Sequence, residues 1–424
     1  MPRTSDPIRQ FLAEHAVLSR RWFLRTGAAG AVAMGAWPVA AAGSDRSPVL
    51  EEAIAKLEPY LTPQDKFEDV SRGKPKPHSL PDETKAQVGM TRDTWKLEII
   101  GDPEHPPKLR QPLTKEKGTA FDFQALMQLA ETHAVRFPKL MTCLNLACPL
   151  GTGIWEGVPL REVLWLTQPS EDLRRVFYYG YHNDDPAQMF RSSLPVGRIL
   201  EDPFDLPPVI LCYKLNGDWL TSERGGPVRI VVPEAYGFKS IKWLSHVVLS
   251  NIAHANDTYA EQNNDVDSPL KSFAATLSVP NPVKPDTPFA VTGYAQVGIS
   301  GVSKVQVWLQ RDGEELPDTG RYFEHAPWQD AEILGPPSDW GGGLPDGRIP
   351  SGTRGFKPDT NEPQKWPLRL TKVHWAFLCP GLPAGEYTLR TRTVDDNGYG
   401  QPLPRPFKKS GRVAIEQVPL QVTG

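Results

Sequence analysis

Leu211-Cys212-Tyr213-Lys214-Leu215-Asn216-Gly217, then Gly225-Gly226-Pro227-Val228-Arg229-Ile230-Val231-Val232-Pro233, then Gly237-Phe238-Lys239-Ser240-Ile241-Lys242-Trp243-Leu244, is the stretch on which the fold of this chain turns. Two short apolar runs, 209–213 and 228–232, are joined through the turn-forming Leu215-Asn216-Gly217-Asp218, which predicts two strands of a sheet core. Arg229 and Lys242 stand at strand ends, where exposed charge is the ordinary state of such residues.

Upstream, Trp95 to Ile100 reads as a strand. Phe123, Leu126, Met127 and Ala130 then share one helical face, with Asp122 placed to cap it. A strand over Lys139 to Asn145 brings Cys143 forward, and Pro159 opens a short helix, Leu160 to Leu166, at its first position. A mixed α+β domain over 93–273 is expected. Downstream, Val305, Val307 and Leu309 alternate in a run that ends at Arg311-Asp312-Gly313, and Tyr387 to Thr391 repeats the pattern before Asp396-Asn397-Gly398. Residues 274–424 are therefore read as a β-sandwich, with Pro327 to Pro367 a long excursion within it. Residues 44–92 alternate charge with proline, as an extended arm or linker does.

The 424 residues exceed what one core usually serves, and 44 Pro with 35 Gly imply that strands and loops outweigh helices. The net charge of -3 and scattered basic residues argue against a nucleic-acid partner. Ser19-Arg20-Arg21-Trp22-Phe23-Leu24, a short Ala/Gly-rich apolar stretch and Ala40-Ala41-Ala42-Gly43 read as a twin-arginine export signal over 1–43, which predicts a periplasmic protein. A membrane-spanning or amphipathic helix is the competing reading, but Pro38 breaks a stretch already shorter than the roughly 20 residues a span needs. That route carries proteins already folded, commonly around an inserted cofactor.

Cys143, Cys148, Cys212 and Cys379 are spaced too irregularly for a disulfide scaffold, and no Cys-x-x-Cys-His encodes a covalent haem. Cys143 follows an apolar strand and precedes a turn, with Asn145, Cys148 and Pro149 close behind. A thiolate there can bind a soft metal or act as a nucleophile, although a cysteine buried as a small hydrophobe is the commoner case. No histidine pair lies at ligand spacing near Cys143 and Cys148, which argues against zinc.

Three blocks together resemble the sulfite oxidase family. They are Thr142-Cys143-x-Asn145 followed by Trp155-Glu156-Gly157-Val158-Pro159-Leu160; the stretch 211–244 quoted above; and Val291-Thr292-Gly293-Tyr294-Ala295, Val305-Gln306-Val307-Trp308 and Thr393-x-Asp395-x-x-Gly398-x-x-Gln401-Pro402. The resemblance runs over about 65–420 and implies a sulfite-oxidase-like molybdopterin domain followed by an immunoglobulin-like dimerisation domain, hence a homodimer. It implies a molybdenum cofactor with one pterin per metal and no haem, with Cys143 as the metal ligand. Arg229, Lys242 and the backbone donors of Ser240 and Ile241 match the family's grip on the cofactor phosphate. Tyr213 matches an active-site tyrosine, with a strand aromatic in the core as its ordinary alternative. His182, in Gly180-Tyr181-His182-Asn183-Asp184-Asp185-Pro186-x-Gln188-Met189, looks like a pterin contact of the bacterial methionine sulfoxide reductase branch, and Arg72, in Ser71-Arg72-Gly73-Lys74-Pro75, resembles an arm arginine that reaches the substrate.

Two departures stand out. Leu146-Ala147-Cys148-Pro149 follows Asn145 where sulfite oxidases carry arginines for the dianion, and Arg224 replaces a family histidine five residues before Arg229, adding charge to the cofactor site. The resemblance implies oxygen-atom transfer on a small sulfur compound, with an external cytochrome or membrane partner collecting electrons. Reduction of an S-oxide or N-oxide is the reverse alternative, and an exported binding module with a relic cofactor domain is the rival of another class.

Overall fold

The computed structural model describes residues 46–423 apart from 147, 204, 256, 259–265, 316–322, 324, 402–410 and 413, so the signal expected over 1–43 lies outside the described residues. Residues 47–424 form one compact unit. The arm is less extended than its prolines suggest: Pro48 enters the first turn of helix α1 (Pro48–Ala55), and α2 (Asp82–Gln87) begins behind Pro81 with two acids in its first turn. Leu50 packs on Ala290 and Ala376, while Tyr60 and Leu61 join Trp340, Leu344, Ile349, Phe356 and Leu368 in a cluster shared with the 327–367 excursion. No helix among the described residues is long and apolar enough to cross a membrane.

Strand β1 (Lys96–Gly101) and the short β2 (Phe121–Asp122) lead into α3 (Phe123–His133), where Asp122 accepts a hydrogen bond from the Ala125 N–H at 2.9 Å, as a cap should. β3 (Val135–Cys143) and β4 (Cys148–Pro159) form a hairpin. β3 ends at Cys143 itself, and 144–146 turn, so the strand is shorter at this end than expected. Pro159 has φ -54° and ψ 130°, which makes it the cap of α4 (Leu160–Trp165) rather than its first residue. There follow β5 (Arg175–Gly180), β6 (Arg191–Pro195), α5 (Val196–Leu200), β7 (Ile210–Leu215), β8 (Asp218–Trp219), β9 (Arg229–Val231) and β10 (Leu244–Ser250). The turn at 215–218 leads into β8, and β9 then returns to pair with β7.

These strands make two sheets, in the order β2-β1-β10-β5-β6 and β3-β4-β7-β8, with β9 also on β7. Their alternation divides the interior. Leu211 and Tyr213 of β7 and Ile230 of β9 enter the core under the first sheet with Leu97, Leu126, Val163 and Val247, whereas Ile210, Cys212 and Val231 join Phe67, Phe137, Met141 and Trp155. Gly157 permits the close approach of β4 to β7, since a Cβ there would lie 2.3 Å from the Leu211 carbonyl oxygen.

The third sheet is antiparallel throughout: β11 (Phe273–Ser278), β12 (Phe289–Gln296), β15 (Lys372–Cys379), β14 (Gln329–Ile333), β13 (Lys304–Arg311), β16 (Gly385–Val394) and β17 (Glu416–Val422), in that spatial order. β11 comes against β16 and β17, so the sheet wraps around a core of Val291, Val305, Val307, Val373, Trp375 and Leu389. The excursion therefore contributes a strand, β14, between β15 and β13. Strands outweigh helices, as the Pro and Gly content suggested.

Candidate active site

Cys143 is half-buried at the end of β3, and the strand is braced on three sides. Thr142 donates from its hydroxyl to Gln296 Oε1 at 2.7 Å, the Leu140 N–H reaches the Leu370 carbonyl at 2.8 Å, and the fully buried Lys139 ammonium donates to the carbonyls of Pro233 and Ala235 at 2.8 and 2.7 Å. Burial pushes the Lys139 ammonium down to about 7, partly opposed by Glu234. The thiol thus stands on a fixed strand end, at the wall of a cavity of about 380 Å³.

The same cavity is lined by Arg72, His182, Arg224, Arg229, Ser240, Ile241 and Lys242, so eight of the nine residues singled out in the sequence converge on it. Alternation along β9 explains the arginine: Arg229 lies on the side of Val231 and is the cross-strand partner of Cys212. Its guanidinium lies over the Trp155 ring, 5.2 Å from the centroid. Nη1 and Nη2 donate to the carbonyls of Arg224 and Ser240 at 2.8 and 2.6 Å, and the buried Nε has no protein partner. Burial lowers Arg229 to about 10, with the Arg224 charge adding to the effect.

Arg224 donates from Nη1 to the Phe67 carbonyl at 2.9 Å and pairs with Glu223 at 2.5 Å, and its buried Nε also lacks a partner. Gly225, at φ +99°, ends the turn after Arg224 in a left-handed conformation suited to glycine. Lys242 Nζ lies 3.2 Å from Asp69 Oδ1, 2.7 Å from Ser71 Oγ and 2.7 Å from the Glu223 carbonyl. Burial lowers it to about 7, reinforced by Arg229 and opposed by Asp69. Burial works against the Asp69 carboxylate, yet hydrogen bonds from Lys76 and Ser71 and the Lys242 charge hold it well below the usual range. Asp69, His78 and Glu223 also converge, but Lys76 and Lys242 already face Asp69 and take the place a cation would need.

His182 is buried, with Nδ1 2.9 Å from the Gly180 carbonyl, and its ring meets Phe190 and Trp243. A carbonyl only accepts, so Nδ1 carries the proton and Nε2 is the acceptor nitrogen. Burial lowers its pKa, which favours the neutral ring. Arg72 packs 5.3 Å from the Phe190 centroid. The Ser240 N–H is engaged by the Gly237 carbonyl at 2.9 Å and its hydroxyl accepts from the Val232 N–H at 3.1 Å, so Ser240 lines the cavity with its backbone donor already taken.

Tyr213 is the exception, and its expected place beside Cys143 is corrected. As the neighbour of Cys212 on β7 it points to the opposite face, where its hydroxyl donates to Glu156 at 3.3 Å and its ring meets Trp219 beside a second, smaller cavity. Sequence reading also missed Phe67, Asp69 and Ser71 of the arm, which line or anchor the main cavity; their closeness to Arg72 was the one available signal.

A thiol at one wall and buried, unpartnered arginine N–H groups at another fit a ligand that joins a soft metal to an anionic group. Residues 84–258 match the oxidoreductase molybdopterin binding domain. Over these residues the chain is similar to molybdopterin oxidoreductases that include sulfite oxidases and nitrate reductases. It is similar to the mitochondrial sulfite oxidase of Drosophila melanogaster, at 28% identity over 215 residues, 42% of this chain and 36% of the relative. The sulfite oxidase of Gallus gallus is 36% identical over 104 residues, 24% of this chain and 22% of the relative, and the NADH nitrate reductase of Volvox carteri is 30% identical over 115 residues, 26% and 13%. The chain therefore spans 36% or less of the length of these relatives. Its fold is similar to the crystal structure of the sulfane dehydrogenase SoxCD from Paracoccus pantotrophus, with a TM-score of 0.52 and 17% identity, covering 91% of this chain and 93% of that one.

Proposed function

We propose that the protein is a periplasmic molybdenum oxidoreductase that transfers an oxygen atom to a small sulfur compound and passes the two electrons released to an external cytochrome. The observation that carries this reading is the single cavity uniting Cys143 with Arg224, Arg229 and Lys242. Cys143 would ligate the metal, while Arg224, Arg229 and Lys242 would hold the terminal phosphate; the cofactor, when bound, supplies two-electron oxygen-atom transfer. His182 Nε2 would accept a hydrogen bond from the pterin, and Arg72, beside Phe190, would orient the substrate oxygen.

The arm (44–92), a molybdopterin-binding domain (93–273) and an immunoglobulin-like dimerisation domain (274–424) are the divisions we propose, with export by the twin-arginine route and assembly as a homodimer. The antiparallel 273–422 sheet, wrapped around its own core, supports the immunoglobulin-like reading.

The wall next to Cys143 favours a second reading of the direction. Leu146 and Val70 are exposed at 55% and 38%, and Phe190 and Phe238 line the same cavity, so a neutral thioether or S-oxide suits it at least as well as a dianion. Absorbance of the loaded protein separates the two: bleaching by sulfite supports oxidation, and reoxidation of the reduced protein by methionine sulfoxide supports the reverse. Response to neither class would overturn both.

A further inference from the structure

The two cysteines nearest the cavity are directly opposed. Cys143 at the end of β3 and Cys148 at the start of β4 are Cα partners in the antiparallel hairpin, both are unpaired and half-buried, and only 144–147 separate them. Directly opposed residues of such a pair have Cα atoms about 4.5–5.5 Å apart, within the roughly 4.4–6.8 Å that disulfides span. Cys148 now points its Sγ toward Glu68 at 3.9 Å, a weak contact that a side-chain rotation can exchange for Cys143. Cys212 and Cys379 are buried in two other clusters.

We propose that Cys148 is a redox cap for Cys143. In the chain without cofactor the pair closes to a disulfide on meeting a small-molecule disulfide such as oxidised glutathione; in the loaded chain Cys143 is occupied and Cys148 stays a free thiol. The inference rests on the reading of Cys143 as the metal ligand. The exchange balances: one cysteine thiolate attacks the oxidant's S–S bond and expels one glutathione thiolate, and the second cysteine thiolate attacks the mixed disulfide and expels the other. The two cysteine protons end on the two glutathione thiols, so the protein pair is oxidised by two electrons and the oxidant reduced by two. A loop this short removes little chain entropy, so a dithiol reductant reopens it readily. Cofactor insertion is thereby confined to a reducing compartment, and an empty chain exposed to an oxidising one is closed to the cofactor.

The test uses full-length protein made in cells unable to synthesise the cofactor, treated with oxidised glutathione and digested with trypsin. The 140–161 peptide, which holds both cysteines, should become two hydrogens lighter without a glutathione adduct, and molybdenum uptake on incubation with cofactor should fall in proportion to the oxidised fraction and return with dithiothreitol. Cys148→Ser and Cys148→Ala should instead carry one glutathione on Cys143 and should load normally after reduction. A wild-type peptide that stays reduced, or that carries glutathione as the variants do, overturns the cap. Failure of the fully reduced wild type to take up molybdenum would instead count against Cys143 as a ligand, independently of the peptide masses.

Discussion

Arg229 donates from Nη2 to the Ser240 carbonyl at 2.6 Å, tying β9 to the segment that carries Ile241 and Lys242. The bond fixes the two cationic positions relative to one another before any ligand arrives. Arg229→Met should leave the Ser240 and Arg224 carbonyls without this partner and lower stability by about 2 kcal/mol. Chemical denaturation gives that figure, and pterin content of the purified protein should fall well beyond what unfolding explains. Wild-type pterin content in a folded variant would remove Arg229 from the phosphate site.

Gly225 controls Lys242 sterically. A Cβ there would lie 2.8 Å from Lys242 Cβ and Cγ, on a backbone at φ +99°. Gly225→Ala should cost about 1–2 kcal/mol and displace the ammonium from Asp69 and Ser71. Cofactor retention should weaken while far-ultraviolet circular dichroism is unchanged.

Much of this site was legible because it is built on period-two strands. Cys143 closes one apolar run and Arg229 lies at the start of another, but it was the resemblance of the surrounding motifs that gave these residues and Lys242 a shared role. The same alternation makes Tyr213 point away from Cys212 and Arg229, a consequence the resemblance to an active-site tyrosine concealed. Asp69 and Ser71 were not legible, since their contacts with Lys242 cross more than 170 positions of chain and leave no local pattern. The inclusion of β14 in the third sheet was hidden for the same reason: Gln329–Ile333 carries little apolar alternation, and its pairing with β13 and β15 decides its state.

Tyr213→Phe should retain cofactor content and turnover within about twofold of wild type, because the hydroxyl meets Glu156 on the far side of β7. Steady-state kinetics check this, and a loss of two orders of magnitude in kcat would return Tyr213 to the chemistry.

Lys139 sets a pH dependence. Its ammonium is held at about 7 in the fold against 10.5 for a free lysine side chain, so between these values the unfolded chain binds more protons. Stability from this group therefore rises with pH across that window and is lost as pH falls toward 7, by at most about 1.4 kcal/mol per pH unit. Denaturation at pH 7, 8 and 9 should show the rise, and Lys139→Met should reduce its slope, the remainder coming from Lys242, which is held at about 7 as well.

The proposed function stands on Cys143 as the molybdenum ligand. Molybdenum content with metal-edge X-ray absorption, on wild type and Cys143→Ser isolated from a host that makes the cofactor, tests it most directly. About one metal per chain is expected in wild type, with a sulfur neighbour that the variant lacks. A wild-type protein without molybdenum, or an identical sulfur shell in both proteins, would contradict it.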